Sequence, residues 1–398
     1  MAGNRAINYK DLRDLYELKG PANACRHLRE AIEQRHLRPS DFSIAELFET
    51  FVEDGRELRH SYNPNKSGTH LVEAGGAAVS TAKFSNIFGQ ISYTATLEAF
   101  QDEEYVFTKL IPPESTKFNG QKVPGMAKIG DEAEVVDEGQ PYPIAGVSED
   151  YIETPATKKR GLEVDVTKEA VFFDNTGLLL TRCADVGHFL GLNREKRAID
   201  CLIDENAGAV SMTAGGHRYH WRGTSYASYQ TSTPYDNVTA SATLVDWTDL
   251  DEAEQTLAGI LDPFTGEPIS NTPTDMVVTR QNLWTAQRIV NATEITVVTP
   301  GYATTGNPTE TKARNPVSRV TIHSSQLLAA RMVTDTTWYL GTIAKYAKYM
   351  ENWPITVTQA PAGNSDDFNR DIVQKFKCSE RGQYATIEPR VMNESTVA

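Results

Sequence analysis

The sequence predicts an α+β fold built around one helix of domain length, and three observations point to it. In Leu162–Thr167, Leu162, Val164 and Val166 alternate with Glu163, Asp165 and Thr167, the period of a half-buried strand. Next, Leu179, Cys183, Val186 and Leu190 are spaced four, three and four residues apart, and the apolar pattern continues through Ile199, Leu202 and Ile203. Asp174 or Asn175 stands where such a helix needs a cap, which gives about 30 residues and roughly 45 Å. Finally, short alternating runs return at Trp353–Gln359 and Asp371–Lys377, so strands both precede and follow the helix.

The remaining elements follow in chain order. Residues 8–58 read as two helices, Leu12, Leu15 and Leu18 in the first and Ala45, Leu47, Phe48 and Phe51 in the second, with Pro39-Ser40-Asp41 as break and cap. Ser61–Gly76 reads as an extended linker, and 84–110 as a helix or arm ending before Pro112-Pro113. Ala207–Ala242 is polar, aromatic and rich in small residues, the composition of loops and short strands. Thr248 is placed to cap a helix over Asp249–Leu261, with Asp251 completing a weak capping box, and Asp262-Pro263 and Gly266 end it. Asp275–Thr279 is a short strand, Gln281–Val290 a helix, and 291–322 strands and loops. Glu380-Arg381-Gly382 reads as a turn leading into Tyr384–Ile387.

Composition narrows the function. A chain of 398 residues has ample length for more than one core. Its formal charge of −14 argues against binding nucleic acid by neutralising phosphates. Cys25, Cys183, Cys201 and Cys378 form no C-x-x-C pair, which predicts reduced thiols, synthesis in a cytoplasm and no zinc ribbon. No apolar run suits a signal peptide or a membrane span, so a soluble chain is expected.

Catalytic chemistry is hard to place. His217-x-x-His220 is a close histidine pair, but no carboxylate or cysteine follows at ligand spacing, so no metal site is predicted. There is no G-x-S-x-G, P-loop or G-x-G-x-x-G, and Gly75-Gly76 and Gly215-Gly216 lack a strand-then-helix setting. No cofactor and no enzyme are predicted; the rival from that class is a hydrolase using His217, His220 and nearby carboxylates. Tyr219, Trp221, Tyr226, Tyr229 and Tyr235 form either a contact surface or a locally packed loop cluster.

Two features point to packing between elements and between copies. Gly187 and Gly191 lie four apart inside the long helix, where each costs about 1 kcal/mol against alanine, so another backbone is expected to pack there. Glu195 reads as an exposed position tolerant of alanine. Asp131 to Glu153 holds eight acidic side chains and no basic one, followed by Lys158-Lys159-Arg160. This is either a solvated hairpin or an excursion over a neighbour's basic surface. In the second case Asp131, Glu132, Glu134, Asp137, Glu138, Lys158, Lys159 and Arg160 are candidate subunit-interface residues.

Several short motifs recur in one order. They are Asp137-Glu138-Gly139-Gln140-Pro141-Tyr142-Pro143, Lys159-Arg160-Gly161-Leu162, Thr167-Lys168-Glu169, the long helix, and Asp262-Pro263-Phe264-Thr265-Gly266-Glu267-Pro268-Ile269. Asp371-Ile372-Val373, Phe376, Glu380-Arg381-Gly382 and Pro389-Arg390 complete the series. Over roughly residues 84–398 the chain resembles the major capsid proteins of tailed bacteriophages with the Hong Kong 97-type fold. The resemblance implies an N-terminal helical segment, scaffold-like or part of the arm, over 1–65, an N-arm over 66–116 and an extended loop over 117–160. It further implies a peripheral domain with a long spine helix over 161–206, an axial domain over 207–350 and a return to the peripheral domain over 351–398.

The same resemblance implies a self-assembling icosahedral shell of pentamers and hexamers in the virion. Such a shell encloses DNA without reading its sequence and makes no membrane contact. Implied partners are a portal and scaffold or decoration proteins, with synthesis in the host bacterial cytoplasm. Some members cross-link a loop lysine to a neighbour's asparagine, and Lys122 and Lys128 lie in that loop. A cellular nanocompartment shell of the same fold is the close alternative.

Overall fold

The computed structural model describes residues 9–34, 36–37, 42–51, 77–100, 105–124, 136–139, 151–167, 178–204, 219–232, 235–240, 242–262, 266, 268–269, 271–299, 309–315, 319–332, 334–359 and 372–396. Asp131, Glu132, Glu134, Lys128, Asp174, Asn175, His217, the Pro39–Asp41 break and the 61–76 linker lie outside the described residues. The chain is α+β and its contacts divide it into two units. The first comprises Met1–Tyr105, Lys159–Asn193 and Trp353–Arg381; the second comprises Val106–Lys158, Arg194–Asn352 and Gly382–Ala398. The chain crosses between them inside the long helix and inside two long strands, and 117–158 falls in the same unit as most of 207–350.

In the first unit, the described residues of 8–58 hold three helices where the sequence predicts two: Tyr9–Lys19, Pro21–Glu33 and Ile44–Phe51. Gly20, at φ +80°, ends the first, and Pro21 opens the second with its φ already helical. A helix over Ala77–Phe100 follows, starting before residue 84. Tyr16, Leu28, Ile32, Leu47 and Phe51 share one buried cluster with Ile87, Phe88 and Ile91 and with Cys183, Val186, Leu190 and Cys378. The alternating segment forms a strand over Lys158–Thr167, and the long helix runs Leu178–Ile203, 26 residues or about 39 Å.

Strands Pro113–Ser115, Ala347–Gln359, Ile372–Thr386 and Lys158–Thr167 lie in that order in one sheet. The turn expected at Glu380–Gly382 is absent, because Ile372–Thr386 runs through it as a single strand. Gly382 serves close packing: a Cβ there would lie 2.9 Å from the Met350 carbonyl oxygen and strike the Tyr349 ring.

The second unit is centred on a five-stranded sheet in the order Thr321–His323, Asp275–Val277, Trp338–Gly341, Met392–Thr396, Val238–Ala240. Both outer pairings are parallel and both inner ones antiparallel. Helices Trp247–Ala258 and Leu283–Val290 bury Leu250, Ala253, Ala286 and Ile289 with Met276, Val278, Trp338 and Leu340. The cap of the first of these helices is Asp246, not Thr248. Asp246 accepts from Thr248 N, and Asp249 at the third helical position accepts from Asp246 N, which closes the box. A second sheet orders Lys122–Pro124, Tyr151–Glu153, Tyr219–Trp221 and Thr224–Tyr226, so the base of the acidic segment is a paired strand.

Candidate functional site

The long helix is the element on which each unit is built, and its two halves are held differently. In the first half, Thr96 Oγ1 donates 2.8 Å to Ser92 O and also lies 3.1 Å from Cys183 O. A Cβ on Gly187 would come within 2.9 Å of the Thr96 carbonyl carbon, and one on Gly191 within 2.9 Å of Tyr105 Cζ. Tyr105 OH donates 2.8 Å to His188 O and sits 3.1 Å from His188 Nδ1. Burial pushes the Cys183 thiol up to about 12 and the Cys378 thiol up to about 11.

The second half is anchored by carboxylates. Glu195 is fully buried, which corrects the expectation of an exposed residue. Its Oε1 accepts from Val106 N at 3.1 Å and Phe107 N at 2.9 Å, and its Oε2 from Thr108 N and Thr108 Oγ1, both at 2.8 Å. These are amides at the start of the short helix Phe107–Leu110, so Glu195 caps it from a distant part of the chain. Asp200 grips Arg331 at two points, 2.7 Å to Nε and 2.6 Å to Nη2. At the helix end Asp204, at φ 49°, accepts from Ser228 N, while Tyr229 and Tyr346 hydroxyls donate to Leu202 O and Cys201 O. Sequence reasoning missed these anchors; buried carboxylates on a helix carry no local signal.

Of the predicted surface residues, Asp137, Glu138, Lys158, Lys159 and Arg160 are among the described ones. Asp137 and Glu138 are exposed beside Gly139, whose φ is +86°. Lys158 and Lys159 are exposed and Arg160 half-buried at the start of their strand. Lys122 lies 3.5 Å from Glu153 and 4.1 Å from the Tyr151 ring centroid. His220 is half-buried in strand Tyr219–Trp221, and among the described residues no group of three His, Cys, Asp or Glu side chains is placed to hold a metal. The aromatic residues pack locally: Tyr219 and Tyr235 are buried edge to face at 6.2 Å, in one cluster with Leu257 and Ile260.

A family model described as phage capsid protein matches residues 151–391, more than half of the chain. The chain belongs to the phage capsid protein family. It is a shell-forming capsid protein, and its place is the capsid of the virion. A search of curated proteins finds no match.

Solved structures similar to this capsid protein include one from Mycobacterium phage Adephagia, with 14% identity, TM-score 0.44, and coverage of 73% of this chain and 90% of that one. A virus-like particle from Pyrococcus furiosus shares 9% identity at TM-score 0.42, covering 77% and 98%. The capsid of a native GTA particle shares 8% at TM-score 0.42, covering 75% and 91%.

Proposed function

We propose that this capsid protein builds an icosahedral shell from rings of five and six copies around the DNA genome of a tailed bacteriophage. Its role is structural, without catalytic chemistry of its own. The observation that carries the reading is the phage capsid family match over 151–391, which spans the long helix and the five-stranded sheet. A net charge of −14 supports a wall that encloses DNA without holding it. Portal, scaffold or decoration proteins are its natural partners, and the host bacterial cytoplasm its place of synthesis.

The acidic stretch Asp131–Glu153 would lie over the basic surface of a neighbour that includes Lys158, Lys159 and Arg160. Each exposed pair contributes only about 0.2–1 kcal/mol, so the sum over the shell matters.

Electron microscopy of the chain expressed alone tests the reading: closed or sheet-like arrays of pentamers and hexamers are expected. Monomers or dimers only, across a range of salt and concentration, would overturn it. Particles from infected cells should hold nuclease-protected DNA; protein cargo in its place would favour the nanocompartment. Replacing Asp131, Glu132, Glu134, Asp137 and Glu138 by Asn or Gln should leave the circular dichroism unchanged while assembly slows and loses salt dependence. Unaltered assembly kinetics would show those charges to be solvating only.

A further inference from the structure

Phe118 is 65% exposed, yet the turn that carries it is tightly built. Its N–H donates to Thr116 Oγ1 at 3.1 Å, and that hydroxyl donates to Gln121 Oε1 at 2.7 Å. Asn352 Nδ2 donates to Thr116 O at 2.9 Å and to Phe118 O at 3.1 Å. Thr157 Oγ1 donates to Asn119 Oδ1 at 3.1 Å, and Gly120 turns the chain at φ +88°. Phe118 itself lies outside the buried clusters of its unit, so these bonds fix the backbone that presents an aromatic ring its own fold does not use. A turn held this way loses little backbone freedom on docking, which is a property of an interface anchor.

An open cleft lies in the same unit. It measures about 540 Å³ and is lined by Tyr226, Ala227, Tyr229, Thr231 and Val238, with the carboxylate of Glu394 at its wall. The cleft is also pre-formed. Asn237 Nδ2 bonds Ser228 O, Pro389 O and Met392 O, Tyr229 OH bonds Leu202 O, and Tyr339 OH donates to Glu394 Oε1 at 3.2 Å. The rings of Tyr226 and Tyr229 and the side chain of Val238 suit a phenyl ring, set among the polar Ser225, Gln230 and Ser232, and the carboxylate suits Lys117, the exposed neighbour of Phe118.

We propose that the Phe118 turn of one copy inserts into the Tyr226–Tyr229–Glu394 cleft of a second copy. Phe118 is exposed in its own chain, so it does not occupy its own cleft. Knob and cleft differ, so the contact is heterologous, and repetition by rotation closes a ring. The carboxylate at the cleft also disfavours a polyanion as the occupant. This rests on the shell reading above and names one of its contacts.

The test places the photo-cross-linker p-benzoylphenylalanine at position 118 and assembles shells from mixed nitrogen-14 and nitrogen-15 chains. After irradiation, adducts should join position 118 to peptides carrying 225–238 or 394, between chains of different isotope. Phe118→Ser should raise the concentration at half-assembly by about tenfold or more, with circular dichroism unchanged. Phe118→Tyr should restore it, and Leu18→Ser, at a still more exposed apolar site, should not alter it. Adducts confined to other peptides or to the same chain, or unchanged assembly of Phe118→Ser, overturn the docking while the shell reading stands. A parent chain that forms nothing larger than a dimer overturns both.

Discussion

The two halves of the long helix solve one packing problem with opposite chemistry. Residues 178–193 are held by removing side chains: at Gly187 and Gly191 the Thr96 backbone and the Tyr105 ring occupy the space a Cβ would need. Residues 194–203 are held by adding polar ones, with Glu195 receiving three amides and a hydroxyl and Asp200 receiving an arginine fork. The first arrangement depends on shape and tolerates no added atom. The second depends on paired hydrogen bonds and is costly when one partner is lost. A helix can therefore be uniform in sequence pattern and still answer to different rules along its length.

The largest expected effect is at Gly187. Gly187→Leu should leave no folded protein in a soluble expression assay, because the branch would meet the Thr96 backbone and not a movable side chain. Gly187→Ala is the sharper version. In a solvated helix it would gain about 1 kcal/mol, but here it should lower stability in urea titration. A stabilised alanine variant would show the approach of Thr96 to be adjustable and would break the comparison at its first half.

Glu195→Ala comes next, with an expected loss of about 3 kcal/mol. It strands the amides of Val106, Phe107 and Thr108, each costing about 1–3 kcal/mol where water cannot replace the acceptor. Glu195→Gln keeps one acceptor oxygen and should lose less. Equal unfolding midpoints for the parent and alanine chains would show that water satisfies those amides. Glu195 would then be no anchor.

These residues mark how far the sequence could be read. The strand Lys158–Thr167 and the long helix were legible because their periods of two and of 3.6 are written in consecutive residues. Gly187 and Gly191 stand out because glycine inside a helix is a local anomaly that asks for a cause, but the expected backbone neighbour lies only at Gly187, and at Gly191 the Tyr105 ring fills the space. Glu195 was misread because a carboxylate on a helix is solvated by default, and its partners lie 87 to 89 positions earlier. Gly382 was misread as a turn because a glycine for close approach and a glycine for φ freedom look alike in sequence; the Tyr349 ring decides between them. The Asp246 cap was missed by two positions, since Asp246 and Thr248 are both good caps and only the hydrogen bonds choose. Phe118 gave no signal, because an isolated phenylalanine in a loop predicts burial as readily as display.

The smallest expected effect uses thiols to watch the two halves separately. Cys183 is buried in the first half and Cys201 in the second, whereas Cys25 is only partly buried. With its pKa raised to about 12 by burial, Cys183 is neutral at pH 8. A raised value means that the contribution of the neutral thiol to stability is fully present below the ordinary value near 8.5. It is lost as pH rises toward 12, so labelling at pH 8 does not itself loosen the fold. A disulfide reagent at pH 8 should therefore label Cys25 first and reach the others only through local opening. In Gly187→Ala, labelling of Cys183 should accelerate while Cys201 stays slow; in Glu195→Gln the order should reverse. If both thiols accelerate together in both variants, the helix opens as one body, and shape in one half and hydrogen bonds in the other are not independent restraints.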